Sequence, residues 1–184
     1  MLITLENVGK SYGTDIILQN INVVVNSGDR IGIIGENGRG KTTLLNILMQ
    51  VTDNYDGNVI INDNATIGYL KQMDGLNLNN TVYEEMQSVY KPVYDAIGQC
   101  AEIEKQLAIT PNDEELLEKH HNLQNLIYSK DGYNTDFMIK KMLNGMSFTE
   151  DEYGKIVRVL SGGERTRLNL AKLLLENPDI LILD

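Results

Sequence analysis

The chain has 184 residues, of which 42% are apolar and 23% charged, ordinary globular usage with enough length to bury one core. A formal net charge of −10 argues against a free nucleic-acid binder held by a general positive field, though a local basic patch fits inside it. The single cysteine, Cys100, cannot form an internal disulfide, no cationic apolar leader opens the chain, and no apolar run approaches the roughly 20 residues that span a bilayer. A cytosolic location without direct membrane insertion is therefore expected.

Residues 2–8 and 16–25 carry the β-branched, partly alternating pattern of strands, with Ser11-Tyr12-Gly13 as the turn between them. Residues 30–34 are predicted to form a short apolar strand running straight into Gly35-Glu36-Asn37-Gly38-Arg39-Gly40-Lys41-Thr42. Leu44, Leu45, Ile47 and Leu48 then suit a helix leaving that glycine-rich turn. Residues 58–61 and 66–70 are strand candidates around an Asn62-Asp63-Asn64 turn, and the second leads into Gln72.

The character changes near Thr81, which precedes Glu84 at capping-box spacing. From there to about Met146 strand signals are weak. Cys100, Ile103 and Leu107 fall at helical spacing, Thr110-Pro111-Asn112-Asp113 reads as a helix start with proline at its first position, and Leu116, Leu117, Leu123 and Ile127 continue an apolar face. This predicts a helical hairpin, acidic over residues 98–133 with seven Asp or Glu against three Lys or Arg. Ile139, Met142, Leu143 and Met146 predict another amphipathic helix. The last 24 residues return to α/β: Gly162 and Gly163 precede a helix with Leu168, Ala171 and Leu175 on one face, Asn177-Pro178 ends it, and Ile180-Leu181-Ile182-Leu183 is a strand that stops at Asp184.

Three places carry chemistry. Glycines 35, 38 and 40 allow a tight turn whose N–H groups point inward, and the following helix adds its positive dipole end, so the loop suits a phosphate chain with Lys41 reaching the phosphates and Thr42 a bridging Mg²⁺. A glycine-rich turn that binds nothing has the same local pattern. Ser161-Gly162-Gly163 at a helix start reads either as an N-cap serine with flexible glycines or as a second anion site. Asp184 at the carboxyl end of an apolar strand can hold Mg²⁺ through its water shell, or can be a core strand entering a turn. His120 and His121 lack metal-like spacing to other ligands and read as a solvated helix face.

The order glycine loop, Gln72, Ser161-Gly162-Gly163, Asp184 resembles the ATP-binding cassette ATPases, a P-loop NTPase fold. Ser-Gly-Gly-Glu-Arg-Thr-Arg-Leu-Asn-Leu-Ala-Lys-Leu-Leu-Leu, 161–175, with Glu164 where transporter ATPases usually have Gln, is similar to the ABC-F branch. So are the loop residues Gly35-Glu36-Asn37-Gly38-Arg39-Gly40-Lys41-Thr42-Thr43 and the long helical insert. The resemblance implies an α/β ATP-binding core in residues 1–78 and 160–184, a helical subdomain in 79–159, and an arm-like hairpin at about 98–132, together a partial cassette domain over 1–184. It implies ATP with Mg²⁺ as ligands: Tyr12 stacking on adenine, Gly35, Asn37, Gly38, Arg39, Gly40, Lys41, Thr42 and Thr43 on the phosphates, and Thr42, Gln72 and Asp184 at the metal. Lys41, Gln72 and Asp184 are the expected catalytic residues. Ser161, Gly162, Gly163 and Glu164 would cap the nucleotide of a second cassette domain of the same parent chain, arranged head to tail. The expected function is ATP-dependent action on the ribosome as a translation factor or as protection against antibiotics, with the ATPase subunit of a transporter as the alternative. The family's catalytic glutamate and switch histidine are expected after Asp184, so the chain as given is expected to bind ATP without appreciable turnover.

Overall fold

The computed structural model describes residues 1–70 and 75–184. The described residues of Met1–Lys71 with Asn177–Asp184 make one compact unit, and those of Gln72–Glu176 a second. Among the described residues, all the strands lie in the first.

In the first unit, β1 (Ile3–Tyr12), β2 (Asp15–Val25) and β3 (Asp56–Ile61) form an antiparallel sheet with β1 in the centre. The register pairs Ile3 with Val25 and Ile61, which puts β-branched residues across from one another on both sides of the central strand. β1 runs on to Tyr12, which pairs with Asp15, so the turn is Gly13-Thr14 rather than Ser11-Tyr12-Gly13. β4 (Ile67–Leu70) and β5 (Ile180–Leu183) pair in parallel, with Thr66 accepting from the Ile180 N–H and binding Asp179 through its own N–H and hydroxyl. Helix α1 (Lys41–Leu48) contributes Leu45 and Ile47 to a core shared with Ile3, Leu5, Val8, Leu18, Ile180 and Ile182. β5 alternates, with Ile180 and Ile182 buried and Leu181 and Leu183 exposed, so it is covered on one face.

Residues 30–34 depart from expectation. They form no strand: no described strand pairs with them, and Ile34 is 98% exposed. An apolar run becomes a strand only where a neighbour takes its N–H and C=O groups, and among the described residues none does so here.

The second unit is helical: α2 (Val82–Gln87), α3 (Lys91–Leu107), α4 (Glu114–Ser129), α5 (Thr135–Gly145) and α6 (Gly162–Glu176), with short 3-10 turns between. The expected capping box at α2 is present, Thr81 Oγ1 accepting from Glu84 N at 3.2 Å and Glu84 Oε2 from Thr81 N at 2.8 Å. One core joins Val82 and Met86, Val93, Ala96 and Cys100, Ile127, Ile139 and Leu143, and Leu168, Ala171 and Leu175, one stripe from each helix. Helices α3 and α4 are the predicted hairpin, but α4 begins at Glu114 and not at Pro111. Asp113 is its cap, accepting from Leu116 N at 3.1 Å, with Glu114 and Glu115 adding favourable charge in the first turn. His120 does not face open solvent; its Nε2 lies 3.1 Å from Glu104 Oε1 on α3 and ties the two helices together. The base of the hairpin closes at Gly132, where a Cβ would come within 2.5 Å of Val93 Cγ1 and 3.0 Å of the Ile127 carbonyl, so no larger residue fits. No helix among the described residues is long and apolar enough to cross a membrane.

Candidate functional site

The glycine loop ends on a backbone that only glycine holds easily. Gly40 has φ +84°, and a Cβ there would sit 2.6 Å from Ile17 Cγ2 and 3.1 Å from Leu18 Cδ2, so the loop lies hard against β2. Gly38 has φ +81° with open space around it, whereas Gly35 is outside the left-handed region. Gly40 is also the N-cap of α1. It supplies no side chain to the helix start, and the first turn holds no carboxylate. The N–H groups there are therefore left for an outside acceptor, with the positive end of the helix behind them.

Lys41 bends back over the loop, its Nζ donating to the carbonyls of Gly35 and Glu36 at 2.8 Å each. This holds an ammonium in front of the helix start. Arg39 pairs with Glu36 at 3.1 Å on the outer side and does not line the pocket. Asn37, Gly38, Gly40, Lys41, Thr42, Thr43 and Asp184 do line one pocket. Asp184 reaches it because the parallel register carries β5 beside β4 and leaves the carboxylate just beyond Leu183. Its Oδ2 accepts from Thr42 Oγ1 at 3.3 Å and from Tyr69 Oη at 3.4 Å. A hydroxyl and a carboxylate this close, beside an ammonium and a free helix N-terminus, match the oxygen donors of Mg²⁺ and the acceptor-rich end of a nucleoside triphosphate.

Tyr12, at the end of β1, is 56% exposed, and the ammonium of Lys10 lies 4.9 Å from its ring centroid. Gln72 lies outside the described residues. In the second unit Ser161 and Glu164 close a reciprocal box at the start of α6: Ser161 N donates to Glu164 Oε2 at 2.7 Å and Glu164 N to Ser161 Oγ at 3.3 Å. Hydrogen bonding to the Ser161 side chain and then its N–H holds the Glu164 carboxyl below the ordinary value. An anion arriving at Gly162 and Gly163 thus meets a helix terminus that already carries a carboxylate. Sequence reasoning missed Tyr69 and Lys10. Lys10 stands two residues from Tyr12 in a strand, the spacing that puts side chains on one face, and could have been found; Tyr69 depends on the β4–β5 register.

This arrangement is that of the P-loop nucleotide-binding folds. The family model described as ABC transporter matches residues 18–184, and the chain belongs to that family, whose domains bind ATP. The chain is 36% identical over 186 residues to the protein YdiF of Bacillus subtilis, 30% over 187 residues to ABC transporter F family member 2 of Arabidopsis thaliana, and 34% over 169 residues to the energy-dependent translational throttle protein EttA of Escherichia coli K12. These matches cover 100%, 99% and 91% of the chain, and bear out the resemblance to the F branch. The chain spans 29%, 28% and 30% of the lengths of those relatives. Among solved structures, the ATP-binding subunit of an ABC transporter superposes with a TM-score of 0.68 at 15% identity, and cbiO1 of Clostridium perfringens with 0.62 at 18%, each over all of this chain and about two thirds of the other. They share its fold.

Proposed function

We propose that the chain is the first nucleotide-binding domain of an ABC-F type protein that hydrolyses ATP in its intact form and acts on the translating ribosome. The observation that carries the ATP site is the meeting of Lys41, Thr42 and Asp184 at the uncapped start of α1, residues 142 positions apart in the case of the threonine and the aspartate. Lys41 would exchange the Gly35 and Glu36 carbonyls for the β- and γ-phosphates, and the N–H groups of Gly38 to Thr43 would surround them. Thr42 and Asp184, with Gln72, would hold Mg²⁺, which neutralises charge between the terminal phosphates. Tyr12 would stack on the base. Ser161, Gly162, Gly163 and Glu164 would face the nucleotide of a second cassette domain.

The translational part of the reading is supported by relatives of the F branch, one named as a translational throttle, and by Glu164. A cytoplasmic location goes with it. The alternative, an energy-coupling subunit of a transporter, is supported by the family model's description as ABC transporter and by the fold of transporter ATPase structures below 25% identity; a second glycine loop downstream in the gene would decide between the two. Calorimetry with MgATP tests the site: Lys41→Ala should weaken binding by about 1.5 to 3 kcal/mol, and equal affinity of both proteins would refute Lys41's role. Cosedimentation of the full-length protein with ribosomes, in ATP-locked and ADP states, tests the partner. Absence from the ribosome pellet in both states would remove the translational reading and leave the ATP site standing.

A further inference from the structure

Lys10 is a cation placed where cations are costly. It is 5% exposed in the central strand, its ammonium donates to the Asn54 carbonyl, and no ion pair of Lys10 occurs among the described residues. What it has instead is the face of Tyr12, 4.9 Å from the ring centroid. A carbonyl and an aromatic face together offset part of the desolvation of an ammonium, and they also fix the ring that the ammonium lies over. The location is not arbitrary. Lys10 pairs across the sheet with Leu18, and Leu18 together with Ile17 packs against Gly40, so the strand pair carrying Lys10 and Tyr12 abuts the end of the phosphate loop.

We propose that Lys10 is a positioning residue for the nucleobase: it holds the Tyr12 ring by one face so that the other takes the purine of a nucleoside triphosphate whose phosphates lie on residues 38–43. This rests on the reading of Tyr12 as the stacking residue. A cation on one face draws π density toward itself, which makes the opposite face less negative and a better partner for an electron-rich purine. A fixed ring also loses less freedom when the base arrives. More than half of the Tyr12 surface remains open for that contact. Stacking of this kind rewards the presence of a base without choosing between purines, because every base presents a π face.

The experiment compares affinities of the full chain for MgATP and for magnesium tripolyphosphate, which keeps the phosphates and lacks the base. The ratio of the two isolates base recognition from phosphate binding. Lys10→Met should lower that ratio about three- to tenfold and leave tripolyphosphate affinity unchanged, while Lys10→Arg, which keeps a cation over the ring, should retain it. Lys10→Gln removes the charge and retains an N–H donor on a shorter side chain; it should behave as Lys10→Met and serves where the methionine variant does not fold. Tyr12→Ala separates the two levels of the argument. If Tyr12→Ala leaves the ratio at its parent value, Tyr12 does not stack and both readings fall. If Tyr12→Ala abolishes the preference but the charge-removing variants keep it, or lower both affinities equally, the role of Lys10 is overturned and that of Tyr12 stands.

Discussion

Removing the cation from the buried ion pair of the helical unit tests how that unit is held together. Glu85 on α2 has a side chain 1% exposed, and its carboxylate accepts from Lys172 of α6 at 2.5 Å and from Asn80 Nδ2 at 2.8 Å. Lys172 is 19% exposed and also donates to the Gly75 carbonyl at 3.2 Å. Breaking a buried pair by deleting one partner costs about 3 to 5 kcal/mol. Asn80 still donates in Lys172→Met, so we expect the lower end, about 3 kcal/mol, or a fall in Tm of roughly 6 to 12 °C for a chain of this size. Glu85→Leu should cost less, about 1 to 2 kcal/mol, because the remaining ammonium keeps the Gly75 carbonyl and can turn toward water. The double variant should lie within about 1 kcal/mol of the parent, since well-packed apolar replacements of buried pairs are often neutral. Urea and thermal unfolding of all four proteins, followed by far-UV circular dichroism, complete the cycle. Additive single losses, or a Lys172→Met cost below about 1 kcal/mol, would show that the pair is not energetically buried and would refute this account of the α2–α6 contact.

Other expectations follow from single features. Gly40→Ala forces a Cβ to within 2.6 Å of Ile17 Cγ2 at φ +84°, so it should destabilise the first unit by about 1 to 3 kcal/mol and weaken MgATP binding; a parent-like melt and titration would contradict the loop geometry. Asp113→Ala should cost about 1 kcal/mol through loss of the α4 cap while Pro111→Ala stays near neutral, and the reverse order in urea unfolding would place the helix start back at Pro111. The Glu152 carboxyl is held at about 2, chiefly by Lys155 and then by the Thr149 N–H, against 4.5 for the free group. A depressed folded value means that its contribution is present above about pH 4.5 and is lost as pH falls toward 2; Glu152→Gln should therefore flatten the decline in urea midpoint over that range, and an unchanged slope would rule the contribution out.

Local chemistry made much of this protein legible in its sequence. Thr81 and Glu84 announce a capping box because both partners sit within one turn, and the apolar spacing of Leu168, Ala171 and Leu175 marks a buried helix face because the α-helical period is fixed by the backbone. Gly38, Gly40, Lys41 and Thr42 announce a glycine turn opening a helix for the same reason: a loop and the helix start it feeds are contiguous. Residues 30–34 were misleading because a strand is a property of two segments, and apolar content says nothing about whether a partner is present. The start of α4 was displaced because Pro111 and Asp113 both suit a helix entry, and only the side-chain bond to Leu116 N selects one. Local pattern alone determined which segments were helices and where the glycine turn lay. The tertiary structure alone decided that Asp184 shares an oxygen with Thr42 and Tyr69, that Lys10 lies over Tyr12, and that Glu85 is buried against Lys172. Those contacts join residues through sheet register and helix packing, and neither is encoded within a single stretch of chain.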